Sequence, residues 1–466
     1  MNRNFTPAYL LATALLFGVF VLLPLLPITN AAAQQSSWSQ PVNLSQSGSS
    51  SDPVIVVDSN QNVHVIWLDE FNNYGYAFWN GESWSDPIGL TYNFYPEIPT
   101  LVAGTDGQVH GFWINDNGTL LYSRVPGSNM GSASAWTPAL ALGTGVLNFH
   151  ATTDDLGRLH IGYVQGPNEN GLPTGIYYRQ ADPTGTSWSV GTAVYLSPYM
   201  RSITTDEAHV NVTTTQVDGS THIFLAFDNP DLKRVYLVAS PDNGATWGEP
   251  LEVDRPDAES VANTPFDIMV YPDQQNVLVM WKNTLQSSFD CNQLYKYSTD
   301  GGTSWSDKST TFNELVGCPQ NNSLFGGPDG SVLLLADIQD STYIEAWNWD
   351  SWSQPQVQSG LNQFTDPVTF SDLRLATKQA AMADNFRLFV TGADVVGNKD
   401  VWATFRDTSD IDTWYPPPQA WQAPDVITDS TGHLQDPVLI SDSTGLFHLF
   451  WSQSVDPEKP DNEWRI

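Results

Sequence analysis

Trp38-Ser39-Gln40-Pro41, Trp84-Ser85-Asp86-Pro87, Trp136-Thr137-Pro138, Trp188-Ser189, Trp247-Gly248-Glu249-Pro250, Trp305-Ser306-Asp307, Trp352-Ser353-Gln354-Pro355 and Trp421-Gln422-Ala423-Pro424 are one signal repeated along the chain. Consecutive tryptophans lie 46, 52, 52, 59, 58, 47 and 69 residues apart. Periods of this size belong to propellers and solenoids. Each interval has the same internal order. The first runs from an apolar stretch, Asp52 to Val57, through the turn Asp58-Ser59-Asn60 into Val63-His64-Val65-Ile66-Trp67. A longer loop, Leu68 to Asn73, leads to Tyr74–Trp79 and then to the Trp84 segment. That is four short strands divided by Asn, Asp and Gly turns. The second-strand pattern returns as Val109-His110-Gly111-Phe112-Trp113, Leu159-His160-Ile161-Gly162-Tyr163 and Phe447-His448-Leu449-Phe450-Trp451. Helical periodicity is almost absent. Leu375–Asp384, rich in Ala, Lys and Gln, is read as a first strand because it stands where other units have one.

Four antiparallel strands repeated radially predict an all-β propeller, whose closure leaves only short edges. Seven three-strand sets fall between Trp38 and Trp421, and an eighth begins at His433 and reaches Trp464-Arg465-Ile466 without an outer strand. Ser37 to Leu44 is an outer strand with no set before it. The expectation is eight blades, with the N-terminal strand completing the last blade. Seven is the alternative if the 69-residue interval is irregular. The repeated tryptophans should fill the wedges between blades.

Composition bounds the function. The 466 residues carry 18 Lys+Arg against 51 Asp+Glu. Nucleic acid is excluded as a partner, because phosphate binding needs a basic face. Arg3, the apolar run Tyr9–Leu26 and Ala31-Ala32-Ala33 read as a signal peptide over 1–33, leaving 34–466 as the mature propeller. The competing reading is an uncleaved membrane anchor. Either places the chain outside the cytoplasm, as an extracellular or cell-surface protein expected to be a monomer. Cys291 and Cys318 fall at loop positions on the same face of adjacent blades, which predicts a disulfide in an oxidising compartment.

Two turns carry a family resemblance. Ser240-Pro241-Asp242-Asn243-Gly244-Ala245-Thr246-Trp247 and Ser298-Thr299-Asp300-Gly301-Gly302-Thr303-Ser304-Trp305 match the Asp-box, Ser-x-Asp-x-Gly-x-Thr/Ser-Trp. In this the chain resembles the sialidase superfamily of bacterial-neuraminidase repeats. Degenerate copies stand at Gly185-Thr186-Ser187-Trp188, with Pro183 at the box-Asp position, and at Asp412-Thr413-Trp414. The resemblance implies a propeller in which Ser240, Asp242, Gly244, Trp247, Ser298, Asp300, Gly302 and Trp305 are structural. It implies fold, not catalysis. Sialidases of this kind hold the substrate carboxylate with three arginines, the first in Arg-Ile-Pro. Here the corresponding stretches are Ser51-Asp52-Pro53 and Glu97-Ile98-Pro99, so the expected cation is missing.

Candidate chemistry is therefore dispersed. Arg201, Arg255 and Arg374 fall in loops entering first strands and either converge on a central pocket or pair with neighbouring carboxylates. Asp69 and Glu70, with Asp116, Asp228, Asp290 and Asp206-Glu207, offer carboxylates on the same face. His64, His110, His160, His222 and His448 read as repeat features bonded within their blades, not as a metal cluster. No cofactor is expected. Asp58-Ser59-Asn60-Gln61-Asn62 has oxygen donors for Ca2+ but lacks the twelve-residue loop. Trp67, Trp113, Tyr163, Trp281 and Trp451 end equivalent second strands and are the aromatic candidates for sugar contact, with inner core as their other role. Three functions follow: recognition of an extracellular glycan or glycoprotein, a sialidase-like glycoside hydrolase with a rearranged arginine clamp, or a protein-binding scaffold.

Overall fold

A computed structural model of the chain describes residues 38–411, apart from 96–97, 168–170, 197–208, 256–264, 285–290, 313–316, 328–329, 340, 359–360, 362–363, 366–371, 374, 384–385, 395–398 and 410; it also describes 434–441, 447–454 and 464–465. The chain divides into two compact units, Met1–Tyr415 and Pro416–Ile466. The expected signal peptide and the segment around Trp421 lie outside the described residues.

The first unit is a propeller of seven four-stranded antiparallel blades. Blade one consists of Ser50–Val57, Val63–Asp69, Asn73–Trp79 and Ile88–Leu90. Blades two to six begin at Thr100, Val146, Val210, Pro265 and Gln320 and repeat its order. Leu375–Ala383 is a strand, as read, and opens blade seven with Arg387–Asp394 and Val401–Asp407. First strands contact first strands around the circle, and Ser50–Val57 against Leu375–Ala383 closes it.

Closure corrects the eight-blade expectation. Val42–Asn43 pairs with Val401–Asp407, so the N-terminal strand completes blade seven, not an eighth blade. The set Leu434–Ser441, Phe447–Ser454 and Trp464–Arg465 forms a three-stranded sheet of its own in the second unit. The physical reason lies in the wedges. Seven apolar clusters separate the blades, and each holds one repeat tryptophan leaning on the blade before its own. Trp84 packs between blades seven and one, Trp136 between one and two, Trp188 between two and three, and Trp247 between three and four. Trp305 and Trp352 continue the series, and Trp38 fills the wedge between blades six and seven. The seventh tryptophan is thus supplied by the N-terminal segment, and blade seven, whose first three strands lie in the 69-residue interval, takes its outer strand from Val42–Asn43 and not from the Trp421 side.

The residue after each tryptophan explains the rest of the repeat. Ser85 donates its N–H to the Phe78 carbonyl, while its Oγ accepts the Phe78 N–H at 3.1 Å. Ser39, Thr137, Ser189, Ser306 and Ser353 make the same pair of bonds to Phe405, Arg124, Gln180, Tyr297 and Ala346. The hydroxyl takes the place of a ladder carbonyl just where the chain turns into the outer strand. In blade four Gly248 keeps the backbone bond to Ala239. Gly75 serves the wedge differently: a Cβ there would stand 2.1 Å from the Trp67 ring.

The closing strand is held by side chains as well. Asp400 accepts hydrogen bonds from Ser45 Oγ, the Ser47 and Gly48 N–H groups and Asn43 Nδ2, all within 2.9 Å. Trp38 Nε1 donates to Gln358 Oε1 at 3.0 Å. Cys291 and Cys318 form the expected disulfide, with Cα atoms 4.5 Å apart. It ties the third strand of blade five to the segment entering blade six.

Deleting residues 34–45 should lower the melting temperature markedly, whereas an equally short deletion in an exposed loop should not. Trp38→Ala should cost about 3–5 kcal/mol in denaturant unfolding, the range for removing a buried large ring. Reduction of Cys291–Cys318 should cost on the order of 3 kcal/mol through loop entropy. Two free thiols in denatured, unreduced protein would contradict the last expectation.

Candidate functional site

An up-and-down blade has two ends. One carries the turns joining first to second and third to outer strands; the other carries the second–third loops and the links between blades. The turn end is bonded to itself. Asp242 Oδ1 accepts the Thr246 N–H at 2.8 Å, Oδ2 accepts the Thr246 hydroxyl at 2.6 Å, and Ser240 Oγ accepts the Gly244 N–H at 2.8 Å. Asp300, Ser304, Ser298 and Gly302 repeat this geometry. Hydrogen bonds from Ser304 hold the Asp300 carboxyl down at about 2. In blade three Asp182, not the residue at position 183, does this work: it accepts the Thr186 and Ser187 N–H groups at 2.9 and 2.8 Å. The degenerate copy is therefore shifted by one residue, with Pro183 following the carboxylate.

His64, His110 and His160 bond within their blades. His64 bridges Tyr76 at 2.8 Å and Asp58 at 3.1 Å, and His160 lies 2.6 Å from the Tyr178 hydroxyl and 3.3 Å from Asp154. His110 keeps the tyrosine, Tyr122, at 2.9 Å, but Gly104 stands where the other blades have the aspartate. Its Nε2 is buried without a partner, and burial pushes the ring down to about 4. His222 has no such tyrosine partner among the described residues. Asp58 is committed to the N–H groups of Asn60 and Asn62 at 2.8 and 2.9 Å besides His64, so its turn offers no open oxygen cage. Among the described residues no group of three His, Cys, Asp or Glu side chains is placed to hold a metal.

The loop end is different. A cleft of about 450 Å³ opens at blade one, lined by Ser49–Ser51, Asp69, Glu70, Asn73, Tyr92, Tyr95 and Lys399 among others. It brings together two sequence candidates, Asp69 and Glu70. Asp69 is a loop cap: it accepts the Phe71 and Asn72 N–H groups at 3.0 and 2.9 Å and the Ser50 hydroxyl at 3.1 Å. Burial works to raise its carboxyl, but these donors outweigh burial and hold it below the usual range. Asn115 and Asn229 cap the corresponding loops of blades two and four. Glu70 is exposed at the rim, and Tyr95 exposes 63% of its surface, the largest free ring of the cleft. Burial pushes Tyr74, beneath them, up to about 12, so its hydroxyl stays protonated.

The remaining candidates separate. Trp67, Trp113, Tyr163 and Trp281 are all buried, each in a wedge between blades. They present no face to a sugar; inward-pointing positions of a short strand belong to packing. The side chain of Trp451 lies outside the described residues, as do Arg201, Arg374, Glu97, Asp206, Glu207 and Asp290. Arg255 is exposed, pairs with Glu252 at 3.6 Å and does not line the cleft. Sequence reasoning missed Lys399 and Tyr95. Lys399 arrives from blade seven, and only the closure places it beside blade one.

The sequence matches no protein-family model and no curated protein. Solved structures share its architecture. A lectin from Burkholderia pseudomallei is 14% identical over 76% of this chain and 95% of its own, with a TM-score of 0.53. A polysaccharide lyase is 10% identical over 77% of this chain and 90% of its own, with a TM-score of 0.48. A Trypanosoma rangeli sialidase in complex with sialic acid is 10% identical over 80% and 58%, with a TM-score of 0.35. At these identities the likeness to the lectin is one of fold, and the two lower scores carry no further argument.

The buried histidines set an acid limb. His110 has an ordinary value near 6.5 when unfolded and about 4 when folded, so the unfolded chain takes the proton first. Stability should fall as pH drops from about 6.5 to 4, by an amount on the order of 3 kcal/mol for this residue. Asp154, held near 2 by His160 and Arg158 against burial, adds a loss below its unfolded value of 3.8. Melting temperature against pH should show both steps, and His110→Phe should make only the upper one shallower.

Proposed function

We propose that the chain is a carbohydrate-binding propeller that contacts its glycan through the loop end of blade one. The observation that carries this reading is the cleft itself. An exposed aromatic ring, Tyr95, stands beside hydroxyl, amide, carboxylate and ammonium groups of Ser49, Ser51, Asn73, Glu70 and Lys399. A ring face suits the C–H face of a pyranose, and paired donors and acceptors suit its hydroxyls. The propeller fold shared with a lectin agrees with it. The disulfide fits export to an oxidising, extracellular compartment, and the reading takes the N-terminal segment as its signal peptide.

The ligand of this cleft is a neutral sugar. Lys399 is its one cation among the described residues, and Asp69 and Glu70 line the same cleft. A sialic acid carboxylate would need guanidinium partners and would meet negative charge instead.

A glycan array followed by titration calorimetry tests the proposal. Tyr95→Ala and Glu70→Gln should each weaken binding about tenfold, equivalent to 1.4 kcal/mol, with unchanged melting temperature. Absence of binding to any neutral glycan, or binding indifferent to both substitutions, would refute it. Simple α-sialosides should be cleaved little or not at all, and Arg255→Ala should leave both behaviours unchanged.

A further inference from the structure

A second constellation stands at the loop end of blades four and five. His209, immediately before the first strand of blade four, places Nδ1 2.6 Å from Asp228 Oδ2, and its backbone N–H donates to Asp228 Oδ1 at 2.7 Å. Asp228 is 2% exposed, while the imidazole is one-third exposed. Beside them Lys282 pairs with Asp267 at 2.6 Å, and the Asp267 N–H reaches Asp228 at 3.3 Å. A buried carboxylate on Nδ1 fixes the tautomer, so Nε2 is the basic nitrogen. No protein group in the described residues takes that nitrogen. Elsewhere in the molecule, His64 and His110 are buried and turned to tyrosines, so His209 is unlike the structural set.

We propose that His209 is the general base of a hydrolytic site for O-acyl esters, with Asp228 as its positioning residue. The site lacks what glycosidic hydrolysis requires, a protonated carboxyl opposite a second carboxylate. Asp267 is bound to a cation and Asp228 to an imidazole. One base whose conjugate acid can return the proton suffices for ester hydrolysis. A water O–H gives its proton to His209 Nε2 as its oxygen bonds to the acyl carbon, and the carbonyl pair moves onto oxygen. Collapse of that intermediate breaks the bond from the acyl carbon to the alcohol oxygen, which takes the proton back from Nε2. The products are a carboxylic acid and a free alcohol. The substrate is uncharged at the reacting group, since two aspartates flank the site. That its alcohol half is a sugar rests on the glycan-binding reading.

The purified full-length mature protein is assayed with p-nitrophenyl acetate and with a per-O-acetylated glucoside, following acetate release. Turnover of both above buffer background is expected, with His209→Ala lowering it at least about tenfold. The neighbouring groups that set the His209 titration are Asp228 and Asp267, which raise it, and Lys282, which lowers it, against burial as the leading opposing effect. Asp228→Asn should therefore lower the rate and move the acid limb of the pH profile to lower pH. Should His209→Ala fail to fold, diethylpyrocarbonate modification of the wild-type protein at His209 should abolish turnover. Background-level acetate release from both probes, turnover indifferent to His209, or an unshifted acid limb in Asp228→Asn would overturn the proposal. The p-nitrophenyl ester has no sugar, so its turnover stands or falls separately from glycan binding at blade one.

Discussion

Everything in the propeller depends on a tryptophan leaning backwards. Each blade places its repeat ring in the wedge it shares with the preceding blade, and six of those rings lie in sequence between the third and outer strands of their own blades. A ring of such blades has one wedge that chain order cannot fill. Trp38 fills it, and Ser39 pairs with a strand 365 residues away. Closing a loop of that length costs on the order of 5 kcal/mol in chain entropy. Burial of Trp38 and Leu44, at roughly 1.5–3 kcal/mol each, covers much of that cost, and the Asp400 bonds add to it.

The closure also builds the cleft. Asp400 grips the N-terminal strand at residues 43–48, and the Ser50 N–H donates to the Lys399 carbonyl at 2.6 Å. Ser49–Ser51, one wall of the cleft, follows directly, and Lys399, bonded to it, supplies the cation. Opening the ring at this seam would separate Lys399 from Glu70 and Tyr95. Ring stability and the shape of the cleft are thus one property of the 38–51 segment.

The sequence made the blade grammar legible because the chemistry repeats. A tryptophan for the wedge, a hydroxyl for the ladder and a turn rich in Asp, Asn and Gly can each be read without coordinates. Closure was legible only in part. Ser37–Leu44 was recognisable as an orphan outer strand, but Trp421 carries the same signal in the sequence, and only the 69-residue interval before it stood out. Trp67, Trp113, Tyr163 and Trp281 took the core role of the two the sequence left open, because alternation along a strand gives two faces without saying which is buried. Trp67 and Trp281 end their strands next to the open face and still turn into the wedges. Asp69 and Glu70 were found as neighbours but not distinguished. The difference between them, a carboxylate capping its own loop and one left at the rim, is set by backbone geometry.

The acidic composition acquires a direction from this. At the turn end, Asp58, Asp154, Asp182, Asp242 and Asp300 are consumed by N–H groups, hydroxyls, histidine or arginine of their own blades. Their negative charge is paired locally and serves the fold. At the loop end the capping role passes in part to neutral amides, Asn115 and Asn229, while Asp69 caps its own loop and Asp228 holds His209. Glu70 stands at the rim, Lys399 crosses from blade seven, and His209 keeps one ring nitrogen unspent. The carboxylates of the turn end are thus spent on the fold, and the polar groups left for a ligand, Glu70 and Lys399 among them, stand at the loop end.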